Sequence, residues 1–197
     1  MEKKIENVCI FCGSAPDVPQ KYKDYAFSLG ALLAGQGIHV ITGGGSMGLM
    51  ASVEEGVISS GGRVTGVIPS FMVDAGWLHM GLSSVTCTTD MQERKKKMFD
   101  MSDAIVALPG GVGTLDELTE VLTLKQLGML SCPVVIANAF GFYDPFISQL
   151  ERQIADRFVG GEYRELWAVA SSPADVIALV ENFPEWDPSK GKLSRRI

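Results

Sequence analysis

Short apolar runs rich in branched residues recur at about 7–12, 38–42, 63–68, 104–108, 133–137 and 167–170, and each predicts a strand. Between them, at about 20–35, 47–60, 90–101, 114–128, 144–158 and 173–183, apolar positions return every three or four residues and predict helices. Ala104-Ile105-Val106-Ala107-Leu108 and Val134-Val135-Ile136-Ala137 carry no polar residue, the pattern of strands covered on both faces. The alternation predicts an α/β fold, a doubly wound parallel sheet flanked by helices, in preference to a bundle or an antiparallel barrel. Two stretches break the pattern. Residues 70–89 are irregular; their Phe71, Met72, Trp77, Leu78 and Met80 could cover a ligand, pack against a second subunit or form an apolar loop, with packing the favoured reading. After Pro184 the chain carries Trp186, Pro188, Gly191 and a polar, basic ending, which reads as a surface tail.

Composition narrows the function. A chain of 197 residues with 46% hydrophobic content and 22 glycines supports one well-filled domain spanning 1–197. A formal net charge of −6 argues against a nucleic-acid partner, which a basic face would announce. It leaves room for a small anion, because backbone amides and a few local cations can overcome a modest global charge. No apolar run approaches the ~18 residues of a membrane span, and the first residues, Met1 to Glu6, lead into no convincing cleavage region, so a cytoplasmic location is expected. Cys9 and Cys12 have redox spacing, but they lie in a strand whose alternation sends them to opposite sides, so they read as ordinary thiols. His39 and His79 stand apart from any acidic or thiol cluster, and no metal is expected.

The candidate chemistry lies where predicted strands break into glycine. Thr42-Gly43-Gly44-Gly45-Ser46-Met47-Gly48 follows one strand, and Leu108-Pro109-Gly110-Gly111-Val112-Gly113-Thr114-Leu115-Asp116-Glu117 follows another. Glycines let main-chain amides approach an anion with no side chain in the way, and a helix start adds N–H groups with no partner. Neither run is a dinucleotide fingerprint or a Walker A loop. Gly44 and Gly45, with Gly13 and Ser14 after the first strand, are candidates to line one crevice. In the second run Thr114 can cap the coming helix or offer its hydroxyl to phosphate. Glu117, Glu120 and Thr123 follow one another at intervals of three beside the apolar stripe of Leu115, Leu118 and Leu122. A carboxylate beside a phosphate seat repels the ligand unless it has another task, and Glu117 is the candidate for one. Upstream, Met91, Arg94, Lys95 and Met98 fall at helical offsets that bury the stems of Arg94 and Lys95 and aim their charges at an anion, while Lys96 and Lys97 lie farther round towards solvent.

With these segments in view, the sequence resembles the LOG family, the cytokinin riboside 5′-monophosphate phosphoribohydrolases formerly labelled lysine decarboxylases. The matching pieces are CGS at 12–14, GGGSMGLM at 43–50, GVIP at 66–69, MQERKKKM at 91–98, PGGVGTLDE at 109–117 and LTLKQLG at 122–128, within a likeness spanning roughly 7–183. The resemblance implies a Rossmann-like doubly wound sheet and a homodimer with active sites near the subunit interface. It also implies hydrolysis of the N-glycosidic bond of a nucleoside 5′-monophosphate to free base and ribose 5-phosphate, without a cofactor. Carried onto this chain, it assigns phosphate or ribose phosphate binding to Gly110, Gly111, Gly113 and Thr114. Arg94 and Glu117 fall at the reacting centre, with Lys95 and Thr123 near the nucleotide. The chain departs from the family at Gln92, at Leu124-Lys125 and around Gly76, which leaves the base it accepts open. A noncatalytic nucleotide sensor and, less favoured, an amino-acid decarboxylase are the competing readings.

Overall fold

The computed structural model describes residues 4–184 and 186–190. Among the described residues seven strands alternate with helices: β1 (Asn7–Phe11), α1 (Gln20–Gly35), β2 (His39–Thr42), α2 (Gly48–Ser59), β3 (Val64–Pro69), α3 (Ser70–Asp74), β4 (Ser84–Thr88), α4 (Met91–Asp100), β5 (Ala104–Ala107), α5 (Val112–Leu127), β6 (Val134–Ala137), α6 (Asp144–Ala155), β7 (Ala168–Ala170) and α7 (Pro173–Asn182). The strands form one sheet in the order β4-β3-β2-β1-β5-β6-β7, every neighbouring pair parallel. This is the expected doubly wound sheet, and its order reverses between β1 and β5.

Side-chain alternation divides the interior into two cores. Val8, Ile10, Val106 and Val135 face the layer made by α1, α2 and α7, whereas Cys9, Phe11, Ile105 and Val134 face α4, α5 and α6. Cys12 and Cys9 fall in different cores, so the Cys-x-x-Cys spacing joins nothing. Local signals fix several helix starts. Asp90 caps α4 by accepting the Gln92 and Glu93 amides, and Ser172 and Asp175 form a capping box before α7, with Pro173 in its first turn. His39 bonds through its ring to the Thr65 hydroxyl at 2.8 Å, a structural role.

Three expectations need correction. The irregular segment 70–89 contains α3 and a seventh strand, β4, at the sheet edge; much of β4 is exposed, so it lacks the apolar run that marks a covered strand. The helix expected from 114 begins at Val112, so Thr114 lies inside it and Gly111 is the cap residue. The expected tail from about 184 folds back as far as 190: Trp186 is buried, its amide donates to Ser131 O at 2.8 Å, and Lys190 pairs with Glu165. The remainder of that tail, 191–197, lies outside the described residues. Among the described residues no helix is long and apolar enough to cross a membrane.

The tightest helix contact is between α1 and α2. A Cβ at Gly30 would lie 2.2 Å from Val53 O, and one at Gly56 would lie 2.1 Å from Phe27 O, so each helix is seated on the other's backbone. Gly30→Ala and Gly56→Ala should each destabilise the fold by about 1–3 kcal/mol in urea unfolding, because overpacking outweighs the gain in helix propensity. Unchanged stability in both variants would show that the contact is looser.

Candidate active site

At the reversal of strand order, the chain leaves β1 towards one face of the sheet and β5 towards the other, which opens a crevice at their carboxyl ends. Gly13 N–H donates to Pro109 O at 3.0 Å, and Leu49 N–H donates to Gly13 O at 2.9 Å, so the loops after β1, β2 and β5 are tied into one rim. They enclose a cavity of about 610 Å³. At one end α5 begins at Val112 with no side chain capping it, which leaves first-turn N–H groups beside Gly110, Gly111 and Gly113 able to receive an anion. The apolar part of the cavity lining includes Tyr22, Met47, Met72, Trp77 and Phe142.

The polar floor is a buried ion pair. Arg94 is 6% exposed and Glu117 7%. Arg94 Nη1 lies 3.4 Å from Glu117 Oε1, and Arg94 Nε donates to Val67 O at 2.9 Å. The guanidinium fits because position 43 is glycine: a Cβ there would come within 1.9 Å of Arg94 Nη2. Burial raises the Glu117 carboxyl to about 7; Arg94 opposes that rise and Asp116 adds to it. Glu117 therefore changes charge near neutrality, and in its ionised form presents a carboxylate in a largely apolar cavity. Such a group can steady a developing cation or take a proton from water, and the seat at α5 can hold an anion.

Ser14, Gly45, Arg94, Gly110, Gly111, Gly113, Thr114 and Glu117 all line this cavity. Lys95, Gly44 and Thr123 do not. Lys95 is buried behind the floor, where Nζ reaches Glu120 Oε2 at 2.6 Å and Asp116 Oδ2 at 2.9 Å. Burial works against its charge, but Glu120 and Asp116 outweigh this and raise its pKa. Glu120 is thus a partner to Lys95. Gly44 packs its backbone against Gly66. Thr123 is exposed on α5, donates to Thr119 O at 2.7 Å and borders a separate hollow of about 220 Å³. The sequence reading missed Tyr22 and Phe142, which arrive from elements remote in sequence and carry no local motif. Trp77 was noted without being placed: its carbonyl accepts from Ser46 N–H at 2.8 Å, which brings the segment after α3 onto the glycine loop. Among the described residues no group of three or more His, Cys, Asp or Glu is arranged to hold a metal.

Comparison with known proteins gives a consistent picture. Residues 50–180 match the family described as possible lysine decarboxylase. The chain is 37% identical over 185 residues to the cytokinin riboside 5′-monophosphate phosphoribohydrolase LOG of Oryza sativa subsp. japonica, covering 93% of this chain and 76% of that one. It is 36% identical over 183 residues to the cytokinin riboside 5′-monophosphate phosphoribohydrolase LOG1 of Arabidopsis thaliana, covering 93% and 86%. Among solved structures it is similar to the molybdenum cofactor binding protein of Rippkaea orientalis, with TM-score 0.70, 22% identity and coverage of 90% and 96%. The protein TM1055 gives TM-score 0.70 and 24% identity, with coverage of 89% and 98%. The likeness to these two concerns the fold alone.

A raised carboxyl pKa makes the folded state bind a proton that the unfolded chain has released. Its favourable contribution is therefore whole below about 4.5 and is lost as pH rises through about 7 for Glu117. Unfolding free energy should fall across that window, and Glu117→Gln should remove about 3 kcal/mol of the decline. Urea titrations of both proteins at several pH values measure this; parallel curves would contradict it.

Proposed function

The chain belongs to the family described as possible lysine decarboxylases, in its LOG branch, and from that premise we propose that it hydrolyses the N-glycosidic bond of a nucleoside 5′-monophosphate. A cytokinin riboside 5′-monophosphate or a related adenosine monophosphate is the substrate, and free base and ribose 5-phosphate are the products. The observation that carries this reading is the buried Arg94–Glu117 pair, 3.4 Å apart, on the floor of a cavity whose rim is an uncapped helix start. A volume of about 610 Å³ suits a nucleotide.

In this arrangement the phosphate takes the amides of the first turn of α5, with Gly110, Gly111, Gly113 and Thr114 around it. Ser14 and Gly45 flank the sugar. The apolar wall takes the base. As the bond from C1′ to the base nitrogen breaks, its electron pair leaves with the base and positive charge grows on the sugar. The Glu117 carboxylate stabilises that charge, and as water adds to C1′ it receives the water's proton and passes it to the departing base. Arg94 anchors the phosphate-bearing side and keeps Glu117 in place. Lys95 and Gly44 act from behind, the first by fixing α4 to α5 and the second by shaping the loop.

The decarboxylase description implies pyridoxal phosphate, held by a lysine as a Schiff base. The cavity does not fit it, since among the described residues lining it there is no lysine, and buried Lys95 is engaged with Asp116 and Glu120. We further take the protein to be a cytoplasmic homodimer with no nucleic-acid partner, its sites close to the interface. Thr123 lies outside this chain's own cavity, so on this reading it reaches nucleotide only across a second copy.

Incubation with AMP and its N6-isopentenyl derivative should release base and ribose 5-phosphate in equal amounts; stoichiometric binding without base release would point to a sensor instead. Glu117→Gln should lower kcat by about 10²- to 10⁴-fold with little change in KM. The wild-type rate should climb as pH rises through about 7, because the carboxylate is the active form. A rate flat through that region would remove Glu117 from the role.

A further inference from the structure

We propose that the buried Glu54 is a positioning residue for the cleavage site: acting through Thr42, it fixes the glycine loop on which the Arg94 guanidinium is seated. The inference rests on the hydrolase reading for its kinetic consequence, although its structural half can be tested separately. Glu54 projects from α2 and is 0% exposed. Its Oε1 accepts the Thr42 hydroxyl at 2.5 Å, and Thr42 Oγ1 in turn accepts Gly44 N–H at 3.1 Å. Gly44 is next to Gly43, the residue whose missing Cβ leaves space for Arg94 Nη2. A short path thus runs from a buried carboxyl to the guanidinium that pairs with Glu117.

The same loop holds the apolar wall. Gly44 O accepts His79 N–H at 2.9 Å, and the His79 ring meets Glu55 Oε1, also at 2.9 Å. Adjacent carboxyl groups of α2 therefore hold the glycine loop from below and the segment bearing Trp77 from the side.

The other oxygen, Glu54 Oε2, is buried with no hydrogen-bond partner. An ionised carboxylate would leave that charge unsatisfied, at substantial cost. Burial accordingly raises the group to about 8; the Thr42 hydroxyl and Gly44 amide oppose the rise and Glu55 adds to it. Among the described residues the Cys12 thiol, just after β1, also senses Glu54, being pushed up by burial and by that carboxyl. Among the described residues no cation is paired with Glu54. Once ionised, its carboxylate competes with Thr42 for the Gly44 amide, and the loop beneath Arg94 shifts.

The test compares wild type, Glu54→Gln and Thr42→Val. The Glu54→Gln variant keeps an acceptor for the Thr42 hydroxyl and cannot ionise, whereas Thr42→Val cuts the path and leaves the carboxyl in place. Wild-type kcat should pass through a maximum and fall roughly tenfold by about pH 9, as one ionisation near 8 requires. Glu54→Gln should retain the acid limb and lose the alkaline one, and folded Thr42→Val should show reduced kcat throughout. In parallel, the Gly44 amide and Arg94 Nε–H resonances should titrate with a midpoint near 8 in wild type and not in Glu54→Gln. An alkaline limb retained in Glu54→Gln overturns the proposal, as do unmoved Gly44 and Arg94 resonances in wild type. If no nucleotide is cleaved at any pH, the hydrolase reading fails, and the resonances alone decide whether Glu54 positions the loop.

Discussion

A guanidinium taken almost wholly out of water has to find its compensation inside the protein, and the site is built around meeting that need for Arg94. Leaving a buried charge unpaired costs on the order of 3–5 kcal/mol, a large share of a typical domain's net stability. Two groups answer it directly: the Val67 carbonyl at 2.9 Å and the Glu117 carboxylate at 3.4 Å. A third condition is steric, the absence of a side chain at position 43. Each comes from a different element, β3, α5 and the loop after β2. Meeting the need of one side chain thus draws three parts of the sheet end together.

The arrangement has a chemical consequence. Glu117 is buried enough that its proton is held to about 7, yet it lies beside a cation that favours its ionised form. These opposing influences keep the carboxyl close to the midpoint of titration at neutral pH, where a proton acceptor works well. Behind it, Lys95 with Asp116 and Glu120 forms a second charged contact across the same α4–α5 crossing, so the floor is braced on its outer side. The motif that reads as Arg-Lys in sequence divides into an inner residue facing the cavity and an outer one holding the helices together.

Much of this was legible in the chain. Continuous apolar runs at 104–108 and 134–137 announced strands covered on both sides, and the switch to helical spacing announced the helices between them, because burial on one or both faces imposes a period on sequence. The glycine loops and the stripe containing Arg94 were visible for the same local reason. The edge strand β4 was not, since an exposed edge places little demand on hydrophobicity. Nor was Trp186, whose burial depends on a partner surface remote in sequence at Ser131. Lys95, Gly44 and Thr123 shared motifs with cavity residues, but their side-chain directions relative to the cavity follow from how α4, α5 and the loop pack.

Short-range backbone preference and periodic burial are enough to set the layer architecture, the two glycine turns and the charged residues that stand near them, so all three can be read from the linear chain. Which charges meet is a matter of packing. Arg94 could have faced solvent or phosphate, and its pairing with Glu117, 23 positions away, exists because the order of strands brings α4 and α5 to the same end of the sheet. Glu54 is the clearest case: in sequence it is one of two adjacent acids on a helix, and only its complete burial beneath Thr42 makes it a neutral group. Charge state depends on the dielectric and the partners around a side chain, and these are properties of the packed molecule.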